Sequence, residues 1–183
     1  MNNALVNPNG FFESAQIIHS PNFDRRPHGE ISLIVIHNIS LPPSQYEGNG
    51  IIELFTNQLN PREHPYYDTI HTLKVSSHFL IRRDGTLIQF VSCLDRAWHA
   101  GVSCWCDRTQ CNDFSIGIEL EGTDTWVYTY LQYAKLNQIM ALLFQYYPHL
   151  SKQRVVGHSD IAPNRKTDPG PSLDWDKLQF KSQ

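Results

Sequence analysis

At 183 residues the chain is close to the length of one domain, and a domain of this size buries about 70 % of the surface its unfolded form exposes. Forty per cent hydrophobic and 11 % aromatic residues exclude a disordered or low-complexity chain. A net charge of −3, from 15 basic and 18 acidic residues with no basic run, argues against a nucleic-acid binder, and the longest apolar run (139–144) falls far short of the roughly 20 residues of a membrane span.

The first residues carry no Lys or Arg before Arg25 and no continuous apolar stretch, which predicts a cytoplasmic protein rather than an exported one. Residues 1–16 read as an N-terminal arm and 17–183 as the domain. ISLIVI (31–36) has the near-continuous β-branched pattern of a strand buried on both faces, ending at His37-Asn38 before Pro42 and Pro43. IIELFTNQL (51–59) puts Ile51, Leu54, Phe55 and Leu59 on one helical face ahead of Pro61. HFLIRR (78–83) and TLIQFV (86–91), joined through Asp84-Gly85, predict a hairpin with a type I′ turn. SIGIELEG (115–122) alternates, so Glu119 and Glu121 share one face and Ile116, Ile118 and Leu120 the other. Thr129 and Gln132 form a capping box before a helix with Tyr133, Leu136, Met140, Leu143 and Tyr147 at steps of three and four, closed by Pro148. RVV (154–156) is a short strand leading to Gly157-His158, and 174–180 is a last helical fragment. Strands interleaved with helices, plus one hairpin, predict a single α/β domain: a mixed central sheet flanked by helices.

Nine histidines are present, and most need no chemistry to explain them. His37 and His158 stand apart because each lies where a predicted strand gives way to a loop, the place where ligands gather in open α/β sheets. His158 opens HSDIAPNRKTDPGP, a loop with three prolines and one glycine that carries Asp160, Lys166 and Asp168. Two His and one carboxylate suit zinc, which in catalytic sites takes three protein ligands and leaves a fourth position open. Spacing leaves Asp160 and Asp168 as alternatives for the carboxylate, and pattern does not separate Glu119 from Glu121 as a proton carrier. His78 reads as a core residue and His99, beside Trp98, as a pocket residue. Cys93, Cys104, Cys106 and Cys111 lack the paired C-x-x-C spacing of a zinc knuckle and read as free thiols.

VIHNISLPP, SSHFLIRRDGTLIQFV, RAWHAG, CNDFSIGIELEGTD and GHSDIAPNRKTDPGPSLDW occur in the order found in AmpD-type 1,6-anhydro-N-acetylmuramyl-L-alanine amidases, and the chain resembles that family over roughly residues 17–180. The family belongs to a zinc amidase superfamily shared with phage lysozyme-like amidases and peptidoglycan recognition proteins. The resemblance implies zinc ligands at His37, His158 and Asp168, a catalytic glutamate at Glu119, a catalytic lysine at Lys166, and a zinc groove above a mixed sheet. It implies cleavage of the amide between the lactyl group of anhydromuramic acid and L-alanine, in cytoplasmic wall recycling, with a lowering of the signal that induces β-lactamase. By the same resemblance Asn38, Lys74, Trp98 and Arg108 contact substrate. Lys74 stands where relatives often carry Arg, and Gln110 stands at a position of a family arginine. The implied partner is an anhydromuropeptide, and no surplus apolar stripe calls for an oligomer, so a monomer is expected. Polymeric peptidoglycan as substrate, or a binding module without catalysis, are the rival readings.

Overall fold

The apolar run at 31–36 becomes the second-innermost strand of a mixed sheet, and the rest of the domain is arranged about it. A computed structural model describes residues 6–179. The strands are β1 (Gln16–Ile17), β2 (Phe23–Arg25), β3 (Leu33–Ile39), β4 (Phe79–Ile81), β5 (Leu87–Gln89), β6 (Asp95–Ala97), β7 (Cys104–Trp105), β8 (Arg108–Thr109), β9 (Ser115–Glu121) and β10 (Val155–Gly157). Four α-helices accompany them: α1 (Gly50–Phe55), α2 (Pro65–Ile70), α3 (Tyr130–Tyr146) and α4 (His158–Ile161). Six strands form the main sheet in the order β1-β5-β4-β9-β3-β10, parallel except for the β4–β5 hairpin, while β2–β6 and β7–β8 are separate antiparallel pairs. The expected α/β architecture with a mixed sheet is what forms.

Strand parity decides where the site lies. Ile34, Ile36, Ile116, Ile118, Phe79 and Ile81 face α3, whose Leu136, Ile139, Met140 and Leu143 complete the larger core. Each such side chain, fully buried, contributes about 1.5–3 kcal/mol. The opposite face is covered in two places. Leu80 and Ile88 pack under α1 with Leu41, Leu54 and Phe55, whereas Leu33, Val35 and Val156 pack under Ala100, Cys111, Phe114 and Ile161. Register pairs His37 with Glu119 and Glu119 with Leu80, which puts His37 and Glu119 on this face between the two covers.

Several local expectations change in detail. β3 runs to Ile39 because its ladder with β9 continues through Ile39↔Glu121, so His37 lies inside the strand rather than at its end. α1 stops at Phe55, well before Pro61: Thr56 Oγ1 bonds back to the Ile52 carbonyl and Asn57 turns to φ 60°, although Leu59 stays buried in the same cluster. The hairpin turn is not type I′. Gly85 N–H bonds the Arg82 carbonyl, Arg82 N–H bonds the Thr86 carbonyl, and only Gly85 has positive φ (84°), which is a three-residue loop with a glycine bulge. α2 was not legible as a helix. Its cap is His64, whose ring accepts from Tyr66 N–H, with Pro65 in the first turn where proline needs no donor. The α3 capping box forms in both directions between Thr129 and Gln132.

Within the described part of the predicted arm, Val6 and Phe12 are buried against the larger core, and Gln89 clamps the segment by accepting from Phe12 N–H and donating to the Gly10 carbonyl. Among the described residues no helix is long and apolar enough to cross a membrane.

Candidate metal centre

β3 supplies His37, the start of α4 supplies His158, and the loop after α4 supplies Asp168. The prolines there do not prevent one helical turn, so His158 sits at a helix start rather than in irregular loop. Asp168 is tied to that turn by a hydrogen bond from Ser159 N–H to its carbonyl. Three atoms converge: His37 Nδ1 and His158 Nδ1 are 2.9 Å apart, and Asp168 Oδ2 is 3.1 Å from the first and 3.0 Å from the second. Among the described residues this is the one group of His, Cys, Asp and Glu close enough to hold a metal ion. Asp160, the competing carboxylate, instead closes its own helix start by accepting from Gly157 N–H at 2.7 Å.

The outer nitrogens of both rings are engaged, as metal-ligating histidines require. His158 Nε2 meets the Ala100 carbonyl at 3.1 Å, which only accepts, so that nitrogen carries the proton and Nδ1 presents a lone pair. His37 Nε2 meets His99 Nδ1 at 2.9 Å. Burial, opposed by the Asp168 carboxylate, lowers the His37 pKa to about 4, so the ring is neutral at physiological pH. Burial raises Asp168, but the His158 and His37 rings against it outweigh that and hold the carboxylate below its ordinary range. Two imidazoles and one carboxylate, with both Nδ1 atoms and a carboxylate oxygen meeting in a triangle of about 3 Å, are a donor set that fits a divalent cation such as zinc.

Glu119 lies in the same groove. β9 is central and buried along its whole length, and Glu119 is 7 % exposed. Burial, then the Asp168 charge, push its pKa well up, with Lys166 pulling the other way. Its Oε2 is buried without a hydrogen-bond partner. Glu121 differs sharply, because its two oxygens accept from Glu47 N–H at 2.7 Å and Arg83 N–H at 3.0 Å. Geometry therefore separates two glutamates that sequence alternation could not.

The groove, of about 390 Å³, is lined by the buried His37 and Glu119 together with Leu54, Phe55, Tyr66 and Trp98. Lys166 and Asn38 also line it, and the Asn38 amide is held by Asp124 at 2.7 Å. Lys74 and Arg108 are not among the lining residues. Lys74 is exposed, and Arg108 pairs with Glu30 at 2.9 Å and lies over the Phe114 ring at 3.8 Å. His78 is buried in the core and accepts from Gly117 N–H, as a core histidine should. Cys93 and Cys111 are buried, Cys104 and Cys106 exposed, and all four are free thiols. Two residues that sequence reasoning passed over shape the site: Asn112, whose Oδ1 accepts from His99 N–H and Ala100 N–H, and Ser115, beside the His99 ring. Nothing in their local sequence marks either one.

Residues 27–171 match the Amidase_2 family, described as N-acetylmuramoyl-L-alanine amidase. A 1,6-anhydro-N-acetylmuramyl-L-alanine amidase (AmpD) of Escherichia coli K12 is 50 % identical over 171 residues, covering 93 % of each chain. A crystal structure of a selenomethionine AmpD derivative superposes with a TM-score of 0.92 at 50 % identity, covering 95 % of this chain and 97 % of that one. A Pseudomonas aeruginosa relative (AmpDh3), solved in complex with an anhydromuramic pentapeptide, matches with a TM-score of 0.64 at 28 % identity over 94 % of this chain and 64 % of its own. By its motifs, its fold and these likenesses, the chain belongs to the N-acetylmuramoyl-L-alanine amidase family and resembles its 1,6-anhydro-N-acetylmuramyl-L-alanine branch throughout.

Proposed function

We propose that the chain hydrolyses the amide between the lactyl group of 1,6-anhydro-N-acetylmuramic acid and the L-alanine of a stem peptide, as a zinc-dependent monomeric enzyme of cytoplasmic wall recycling. The observation that carries the reading is the convergence of His37 Nδ1, His158 Nδ1 and Asp168 Oδ2 in a groove that Glu119 also lines. The similarity to AmpD along nearly the whole chain supports the substrate class.

His37, His158 and Asp168 would hold the metal. Zinc so bound would polarise a carbonyl and acidify a water molecule. Glu119 takes a proton from the attacking water and delivers it to the departing amine. A carboxyl whose pKa is raised by burial, and then by the Asp168 charge, is a stronger base than an exposed one, which suits it to take that proton. Its unpartnered oxygen is free to receive that proton. Lys166, on the groove rim, places a positive charge toward the carbonyl oxygen as negative charge develops there. Trp98 offers an apolar surface to one face of a sugar ring, and Asn38, its amide fixed by Asp124, offers a positioned polar group.

The test is incubation with anhydromuramyl tripeptide, and separately with polymeric peptidoglycan, with products read by mass spectrometry before and after chelation. Free tripeptide and anhydromuramic acid, lost on chelation and restored by zinc, is the expected result. Release from the polymer alone would overturn the substrate assignment, and no cleavage by zinc-loaded protein would overturn the enzymatic one.

A further inference from the structure

We propose that His99 is a positioning residue that fixes the tautomer of His37 and so keeps its Nδ1 lone pair aimed at the metal position. The inference rests on the zinc reading above. It begins at a hydroxyl rather than at the metal site. Ser115 Oγ has one proton and two neighbours, the Cys111 carbonyl at 2.6 Å and His99 Nε2 at 3.1 Å. A carbonyl can only accept, and it is the closer partner, so the hydroxyl donates to it. Ser115 Oγ is then an acceptor toward His99, and His99 Nε2 carries the proton. In a neutral ring that leaves His99 Nδ1 as an acceptor. His37 Nε2, 2.9 Å away, must donate to it, and His37 Nδ1 is left unprotonated, facing His158 Nδ1 and Asp168 Oδ2. The direction of three side chains follows from one carbonyl.

The surrounding chain is built to hold this relay. The His99 ring lies against Gly117 so closely that a Cβ there would meet ring atoms at 2.5–2.7 Å, so a side chain at 117 would displace it. Asn112 Oδ1 accepts from both His99 N–H and Ala100 N–H, at 3.1 and 2.8 Å, which pins the two-residue stretch from one point. The same stretch serves the other ring ligand, because the Ala100 carbonyl receives His158 Nε2. Adjacent residues therefore present the outer acceptors for both histidines, one from a side chain and one from the backbone. Histidine in place of the more usual carboxylate or carbonyl orients His37 without adding negative charge beside it.

The experiment compares zinc affinity, by competition with a chromophoric chelator, in the wild type, His99→Asn and His99→Leu. Asparagine keeps an acceptor oxygen near the position of Nδ1, and leucine keeps bulk without it. His99→Leu is expected to bind zinc 10–100-fold more weakly, the usual effect of losing an outer partner, with His99→Asn restored most of the way. Equal affinity in His99→Leu, or equal loss in both variants, overturns the proposal, the second because packing alone would then account for it. Imidazole ¹⁵N spectra of the zinc-loaded wild type give a readout that needs no variant: Nε2–H on both His37 and His99 is expected, and Nδ1–H on His99 refutes the relay. A wild type that binds no zinc at His37 would instead refute the metal reading itself.

Discussion

Glu119→Gln separates the chemistry of the site from its architecture. The replacement keeps shape and burial but removes the carboxylate that would carry the proton. Positioned general acid–base groups contribute about 10²–10⁴-fold, or roughly 2.7–5.5 kcal/mol of barrier. Turnover of anhydromuramyl tripeptide should fall by that factor while zinc content by elemental analysis stays at the wild-type level. Stability gives an independent sign. The folded-state pKa of Glu119 is raised by burial and by Asp168, so the folded protein holds a proton that the unfolded chain has already released. Stability attributable to this group is therefore intact below the ordinary carboxylate range, about pH 4.3, and falls as pH rises through the folded-state value. Removing the charge should raise the Tm of metal-free protein at pH 7 by roughly 2–8 °C. That corresponds to about 1–2 kcal/mol of relieved desolvation, at 2–4 °C per kcal/mol for a chain of this size. The gain should vanish near pH 4, where both side chains are neutral. Calorimetry at the two pH values, beside a product assay, reads both effects. Turnover within threefold of wild type refutes the proton role, and a Tm that drops equally at both pH values refutes the electrostatic argument.

Lys166→Met should lower turnover about 10²–10³-fold with zinc occupancy unchanged, and a change confined to substrate affinity would contradict a role in charge stabilisation. Arg26→Met tests the frame beneath the site. The buried guanidinium donates to the carbonyls of Cys93, Asn112, Asp113 and Ser115, and losing it should cost at least about 3 kcal/mol, or at least about 6 °C of Tm. A smaller loss in thermal denaturation would show these carbonyls finding other partners. Glu30 is held down to about 2 by Arg108, and then by Ser32. Its contribution is present above the ordinary carboxylate range and lost as pH falls through about 2, so the Tm difference between wild type and Glu30→Gln should narrow between about pH 4.5 and 2. A difference that stays constant with pH contradicts the pairing.

The parts of the molecule legible from sequence were those that depend on local pattern. The β-branched run of β3, the alternation of β9 and the Thr129–Gln132 cap each express their structure within a few residues. What stayed hidden depends on register. Glu119 and Glu121 have the same parity and the same strand, and only the backbone N–H groups of Glu47 and Arg83, far apart in sequence, occupy one and leave the other free. Asp160 was indistinguishable from Asp168 until the backbone placed it three residues after Gly157, where it closes a helix start. His99 read as a pocket residue because its partners at positions 37, 115 and 117 come from two strands, β3 and β9. α2 escaped notice because its cap is a histidine, a residue with little capping preference.

The metal centre is tested most directly by X-ray absorption at the zinc edge on the active, as-purified protein. Two imidazole nitrogens at about 2.0–2.1 Å and carboxylate oxygen at about 2.0–2.2 Å, with the imidazole signal lost in His37→Ala and His158→Ala, is the result the structure predicts. A sulfur shell near 2.3 Å, placing the metal on the cysteines, or full activity in protein without zinc, would contradict it.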